Sequence, residues 1–191
     1  RPKRRTRATI AKEKGLEPLA EILRAQATTR TIEEEATAFV DAEKGVESVQ
    51  DAIDGAKDIL AEVYADDADY RTKLRAMTKE SGSLVAKAKD EEADSVYEMY
   101  YDFSEPIKKL VGHRILAINR GEAEKFLTVN IEAPRQEILL WLVKQIIGNM
   151  KHDSASYLYE AITDSYDRLI APSIEREIRN ELTEKAEEGA I

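Results

Sequence analysis

The chain has 191 residues, 42% hydrophobic and 35% charged, a balance that predicts a folded protein and excludes a disordered one. It has no cysteine, which excludes disulfide bonds, a thiolate nucleophile and a cysteine-ligated zinc site, and suits the cytoplasm. The net charge is −9, but the first seven residues carry five positive charges, so the rest of the chain carries −14. A body that acidic repels nucleic acid except at a local basic patch.

Three short helices are predicted at the start of the chain. Thr6 is the expected N-cap of the first, and Gly15 ends it. Pro18 lies where the first turn of the second helix begins, and this helix runs to about residue 27. Thr31 and Glu34 form a capping box that opens the third helix toward residue 42. Helices this short depend on tertiary packing for stability.

The strongest periodic pattern follows Gly45 and predicts one long helix over residues 46–64. Its glycine, Gly55, lies off the apolar stripe and weakens the helix by about 1 kcal/mol relative to alanine. Asp67 is the expected cap of another helix that ends near Lys79. The apolar stripe of the long helix consists of Val46, Val49, Ile53, Ala56, Leu60 and Val63.

Two short strands are predicted after residue 82, at residues 83–89 and 127–132. The second alternates strictly between apolar and polar residues, which is typical of a strand. The two strands are expected to pair with each other. Between them, helical spacing predicts a helix through residues 93–101, a turn capped by Ser104 and ended by Gly112, and a helix over residues 113–120 stopped by Gly121.

Helices are also predicted over residues 134–150, from Asp153 or Ser154, and from Pro172 to at least Ala190, where the last is expected to continue past the end of this chain. The fold class is therefore mainly α: a multi-helix array with one long helix and a small two-stranded β element. The expected domains are residues 1–82, a helical segment, and 83–191, a helical subdomain with both strands. The longest apolar run has six residues, whereas a membrane span needs about 20.

The sequence shows no catalytic motif, so we expect no enzymatic activity, metal site or cofactor. His113 and His152 belong to no metal-binding spacing, so surface or capping roles are expected for both. Neighbouring carboxylates such as Asp164 and Asp167 are typical of a solvated helix face with ion pairs. The chain contains neither a glycine-rich phosphate loop nor a nucleophile elbow. An enzyme that uses scattered carboxylates remains an alternative, which metal binding would reveal.

Two groups of residues could contact nucleic acid. The aromatic cluster Tyr97, Tyr100, Tyr101 and Phe103 could stack on bases, but its acidic neighbours favour packing in the core. The basic start is the one patch suited to phosphate. Its alternative role is a junction whose arginines pair with acids of the chain or with preceding sequence. The candidate nucleic-acid-binding residues at this start are Arg1, Lys3, Arg4, Arg5 and Arg7.

Three segments resemble the Tex family of bacterial transcription accessory factors. They are PKRRTRATIAKEKGLEPLA at residues 2–20, FSEPIKKLVGHRILAINRGE at 103–122 and DSYDRLIAPSIEREIRNELTEKAE at 164–187. They occur in the family's order, and the resemblance covers essentially the whole chain. Tex-like proteins continue into a nuclease-fold domain, a helix-hairpin-helix module and an OB-fold RNA-binding domain, none of which this sequence contains.

The resemblance implies a helical scaffold within an RNA-binding transcription accessory protein. RNA or DNA would be bound mainly through the other domains, and the transcription machinery is a possible protein partner. The resemblance assigns no nucleic-acid or nuclease residue to this chain. The alternative is a stand-alone helical protein-interaction module, which should have a capped, polar end to its last helix.

Overall fold

The computed structural model describes residues 4–189, and over these residues the chain forms nine α-helices and three β-strands. The mainly α class is therefore confirmed, and the predicted long helix is present at Val49–Asp66, while the β element has three strands rather than two. The helices are α1 Arg7–Glu13, α2 Glu17–Ala25, α3 Ile32–Thr37, α4 Val49–Asp66, α5 Ala68–Ser81, α6 Gly112–Ala123, α7 Arg135–Ile146, α8 Ala155–Asp164 and α9 Ala171–Glu187. The strands are β1 Ser83–Ala88, β2 Asp102–Pro106 and β3 Leu127–Glu132.

The chain folds into two compact units, each made from two stretches of sequence. The first unit contains the chain up to Arg71 together with Leu139–Ala171. The second contains Thr72–Ile138 together with the chain from Pro172 onward. Each unit therefore closes its core with residues that are distant in sequence.

Helix α4 is the centre of the first unit, where α1, α2, α3 and α8 pack against it. Ser48 caps it by accepting a hydrogen bond from the Asp51 backbone N–H at 3.0 Å. Ile53 and Leu60 of the predicted stripe are buried. Gly55 has a packing role that the sequence did not indicate, because a Cβ there would lie 2.3 Å from Leu16 Cδ1. The glycine thus allows the segment before α2 to approach α4 closely.

The prediction that Asp153 or Ser154 caps α8 with its side chain is wrong. Ser154 occupies the N-cap position of α8 but makes no side-chain cap. The Asp153 carboxylate instead accepts from the backbone N–H of Ile32 at 2.7 Å, at the start of α3. That bond satisfies an N–H that a helix start leaves without an internal partner. It also ties the two stretches of sequence in the first unit together.

The sheet of the second unit has β1 in the centre, antiparallel to β2 on one side and to β3 on the other. Ala86 lies opposite Phe103 of β2 and Val129 of β3. The predicted pairing of the two strands is confirmed. The helix predicted through residues 93–101 and the turn at Ser104 are wrong, because β1 offers a second edge whose backbone groups β2 satisfies. Only a short 3₁₀ turn, Glu98–Tyr100, precedes β2.

Several predicted helix ends are displaced. Gly112 begins α6 instead of ending the preceding turn, and Gly121 lies inside α6, which ends at Ala123. A Cβ at Gly121 would lie 2.6 Å from Leu127 Cδ1, so close packing against β3 explains this glycine. Helices α3 and α7 end at Thr37 and Ile146, earlier than predicted.

The chain stays helical from α8 into α9, so Pro172 does not start a separate helix. The intervening turn, Ser165–Ile170, is π-helical. A proline inside a helix removes one backbone hydrogen bond, and the wider π turn before it accommodates that break. Helix α9 ends at Glu187, and Gly189 has a φ of +73°. The prediction of a helix to at least Ala190 is therefore wrong at residues 188 and 189, which are not helical, while Ala190 and Ile191 lie outside the described residues.

Candidate nucleic-acid interface

The basic start leads directly into α1. Thr6 caps this helix as predicted, accepting from the Thr9 backbone N–H at 3.1 Å. Arg4 and Arg5 precede the cap, and Arg7 is the first helical residue. All three arginines are exposed. The candidates Arg1 and Lys3 lie outside the described residues.

Arg4 and Arg5 differ in their surroundings. The Arg5 guanidinium forms an ion pair with Glu13, the last residue of α1, and both side chains are more than half exposed. An exposed pair of this kind contributes about 0–1 kcal/mol, so it is easily exchanged for another partner. Arg4 has no ion-pair partner within residues 4–189.

Arg7 borders an acidic cleft of about 450 Å³ between α4 and α8. Two basic residues, Arg7 and Lys57, face four carboxylates there. The Lys57 amine contacts Glu160 and, at 3.5 Å, Asp54. Phosphate would meet more negative than positive charge in this cleft. The carboxylates are Asp54, Asp58, Glu160 and Asp164.

The pKa shifts of two carboxyls in this cleft, Asp58 and Asp164, depend on the same neighbouring charges. Burial raises the pKa of the Asp58 carboxyl, with Arg168 and Arg7 acting against that effect. A hydrogen bond from Arg168, which approaches the Asp164 carboxylate to 2.8 Å, lowers the pKa of Asp164. Arg7 also lowers it through space. Arg7 is therefore part of an internal charge network.

Two further basic residues that the sequence analysis missed meet at a pair of glycines. Lys14 lies beside Gly45, where a Cβ would be 3.3 Å from Lys14 Cε. A Cβ at Gly15 would be 3.8 Å from Lys44 Nζ. Within the described residues, neither lysine has an ion-pair partner. In the sequence, a lysine precedes each of two glycines that lie 30 positions apart and adopt left-handed backbone conformations. Only the fold shows that each lysine lies beside the other glycine.

The aromatic cluster belongs to the core, as predicted. Tyr97 and Tyr100 are buried in the core of the second unit. Tyr100 packs edge-to-face on Phe103, with ring centroids 5.3 Å apart. Tyr101 and Phe103 are partly buried against the same core, so the observed contacts of the cluster are those of core packing rather than of a stacking platform.

The surface role predicted for the histidines holds for His113, whereas His152 is partly buried and joins two loops. His113 is exposed on α6. His152 Nδ1 accepts from the Ser154 backbone N–H at 3.0 Å, and its Nε2 lies 2.8 Å from the Thr28 carbonyl oxygen. These bonds fix the tautomer with the proton on Nε2. Across residues 4–189, no group of three or more His, Asp or Glu side chains could hold a metal ion.

No helix among the described residues combines the length and apolar character needed to cross a membrane.

The Tex central region-like family model matches residues 27–191. The chain is 46% identical to YdcI of Bacillus subtilis over 99% of its own length and 27% of that protein. It is 30% identical to the transcriptional accessory protein Tex of Neisseria gonorrhoeae, over 100% of this chain and 26% of that protein. It is also 32% identical to human S1 RNA-binding domain-containing protein 1, over 78% of this chain and 16% of that protein.

The chain thus spans about a quarter of the length of the bacterial relatives. The family match covers most of the chain and includes two of the three segments that carry the resemblance in full. The chain belongs to the Tex central region-like family.

Proposed function

We propose that this chain is a non-catalytic helical scaffold within a cytoplasmic transcription accessory protein, and that RNA is bound chiefly by regions outside it. The names of two relatives support the wider role: one is a transcriptional accessory protein and another contains an S1 RNA-binding domain. Both proteins are much longer than this chain, which leaves room for separate nucleic-acid modules.

The scaffold role rests mainly on one observation: two arginines of the basic start lie beside carboxylates of the chain itself. Arg5 is paired with Glu13, and Arg7 stands beside the acidic cleft. Phosphate contacts gain most from cations that release counterions on binding. Cations already balanced by carboxylates gain less, so the start is a weak site for RNA. Arg5 and Arg7 therefore lie near carboxylates of the chain itself and leave less net positive charge for a phosphate.

The acidity of the rest of the chain supports the same conclusion. Beyond the first seven residues the net charge is −14. At an ionic strength of about 0.15 M, charges act over roughly 8 Å. A basic patch that lies this close to acids attracts a polyanion only at low salt. Arg4, Lys14 and Lys44, which have no ion-pair partner in the described part of the chain, are the cations best placed to give such weak binding.

The test is fluorescence anisotropy of labelled single-stranded RNA and of duplex DNA with this chain, at low salt and at about 0.15 M salt. We expect weak binding at low salt that disappears at the higher concentration. Arg4→Ala combined with Arg5→Ala should reduce the low-salt binding, and Lys14→Ala combined with Lys44→Ala should reduce it further.

The control is Lys73→Ala combined with Lys151→Ala, which removes the same charge at exposed positions elsewhere. If the control lowers binding as much as the arginine variant, net charge alone governs the interaction. Binding that survives the higher salt and is lost only in the arginine variant would make the basic start a recognition site. That result would overturn the scaffold-only role.

A further inference from the structure

The segment between β1 and β2 is anchored in the core by its tyrosines. Tyr97 and Tyr100 are each only 5% exposed, and the Tyr97 hydroxyl donates to Glu124 of the segment after α6. The Tyr101 hydroxyl donates to the Ala93 carbonyl oxygen at 2.7 Å, which closes the segment on itself. The buried tyrosine rings and these two hydrogen bonds therefore hold the backbone of the loop in place.

This anchoring forces two large apolar side chains outward. Val96 is 84% exposed and Met99 is 74% exposed, the two highest values among large hydrophobic residues in the described part of the chain. Each stands next to a buried tyrosine, so neither can turn inward without displacing a ring from the core. Single exposed hydrophobic residues are ordinary, but here two lie three positions apart on one ordered loop, and together we call them the apolar patch.

Five carboxylates lie on the same loop as this patch. All five acids between residues 90 and 98 are exposed, and none has an ion-pair partner within residues 4–189. No basic residue interrupts them. This differs from the cleft beside Arg7, where Lys57 and Arg168 offset the carboxylates. The acids are Asp90, Glu91, Glu92, Asp94 and Glu98.

We propose that this acidic loop, residues 90–99, is a docking surface for a basic segment of a partner protein that carries apolar side chains between its lysines or arginines. The apolar side chains would cover Val96 and Met99, and the basic ones would pair with the carboxylates of the loop. This goes beyond the scaffold role and does not depend on RNA binding.

The charge decides among the possible occupants. These five carboxylates, which have no ion-pair partner within residues 4–189, repel the phosphates of RNA or DNA within the screening distance of about 8 Å. A basic peptide is attracted, which speeds encounter and excludes acidic competitors. The surface is small, so it suits a transient contact rather than an obligate interface.

Methionine methyl groups labelled with carbon-13 give a local readout by NMR. The chain has three methionines, Met77, Met99 and Met150. Met99 lies in the proposed site, whereas Met150 is 52% exposed in the first unit and serves as a surface control. Met77, half-buried on α5, reports whether the second unit stays folded.

The probe is a short synthetic peptide with two leucines set among lysines and arginines. We expect it to shift the Met99 methyl resonance saturably and to leave Met150 unchanged. Replacing its leucines by serine, or its basic residues by glutamate, should abolish the shift. Glu91→Gln combined with Glu92→Gln should weaken binding by about tenfold, a loss of about 1.4 kcal/mol.

A matched variant, Glu43→Gln combined with Glu47→Gln, makes the same charge change on exposed carboxylates of the first unit and should leave the affinity unchanged. The proposal is overturned by an equal shift of Met150, by a Met99 shift with RNA in place of the peptide, or by no shift at all. A Met99 shift that grows with protein concentration alone would mean that a second copy covers the patch, which also overturns it.

Discussion

The basic start and the acidic loop are both charged surfaces on ordered elements, yet the fold treats their charges differently. At the start, Arg5 pairs with Glu13 and Arg7 borders four carboxylates. In the loop, the acids of residues 90–98 have no ion-pair partner among the described residues, and two apolar side chains stand among them. The density of charge in the sequence therefore does not identify a binding surface. A binding surface is identified by whether the fold places an opposite charge beside each charged side chain.

The largest effect should come from removing the anchor of the acidic loop. Tyr100→Ala empties a buried site in the core and should lower the free energy of unfolding by about 3–5 kcal/mol, as for other large aromatic residues. Met99→Ala, one position earlier, should change it by less than about 0.5 kcal/mol, because Met99 is exposed. Urea unfolding of the two variants measures both values. Equal losses would show that the loop is not held by its buried tyrosine.

A smaller effect is expected beneath the basic start, where Gly55 lets Leu16 approach α4. Gly55→Ala should gain about 1 kcal/mol in helix propensity but lose about 1–3 kcal/mol through overpacking, since the new methyl would lie 2.3 Å from Leu16 Cδ1. We expect a net loss of stability in thermal unfolding. In a Leu16→Ala background the same change should become neutral or stabilising, because the obstructing side chain is gone. The same cost in both backgrounds would disprove the steric explanation.

The smallest effect concerns Asp58 in the cleft beside Arg7. Burial raises the pKa of this carboxyl in the folded state, so its charge opposes folding when the pH is above that pKa. Asp58→Asn should therefore stabilise the protein slightly near neutral pH, by a few tenths of a kcal/mol, since the group is partly solvated. The gain should shrink as the pH falls through the folded-state pKa and vanish below the unfolded value. Urea midpoints across that range measure it, and a gain that grows in acid would reverse the assigned sign.

Local signals predicted the helices well wherever a cap and an apolar stripe coincide. Thr6, Thr31, Ser48 and Asp67 each accept a hydrogen bond from a backbone N–H at the start of a helix, although Ser48 was not predicted. The alternation of β3 likewise matches the observed strand. Such signals act within a few residues, so one sequence is enough to recognise them.

The errors fall where distant residues decide the local structure. The spacing of Tyr97, Tyr100 and Tyr101 suits a helix, but the free edge of β1 recruits β2 and draws the tyrosines into the core. Asp153 serves α3 rather than the helix that follows it. Pro172 lies within a continuous helical run because a π turn precedes it. The partners of β2 and of Asp153 are distant in sequence, whereas the π turn next to Pro172 is a local feature that carries no signal in the apolar pattern.

The sequence by itself determined the helical class, the long central helix and the family, because apolar periodicity, helix caps and family motifs are properties of short segments. Only the tertiary structure decided which charged side chains lie beside an opposite charge. It set Arg7 beside Asp58 and Asp164, brought Lys14 to Gly45, and left the carboxylates around Met99 without ion-pair partners in the described chain. Electrostatic partnership depends on distance in space, and in a chain whose two units each join separate stretches, that distance is set by the fold.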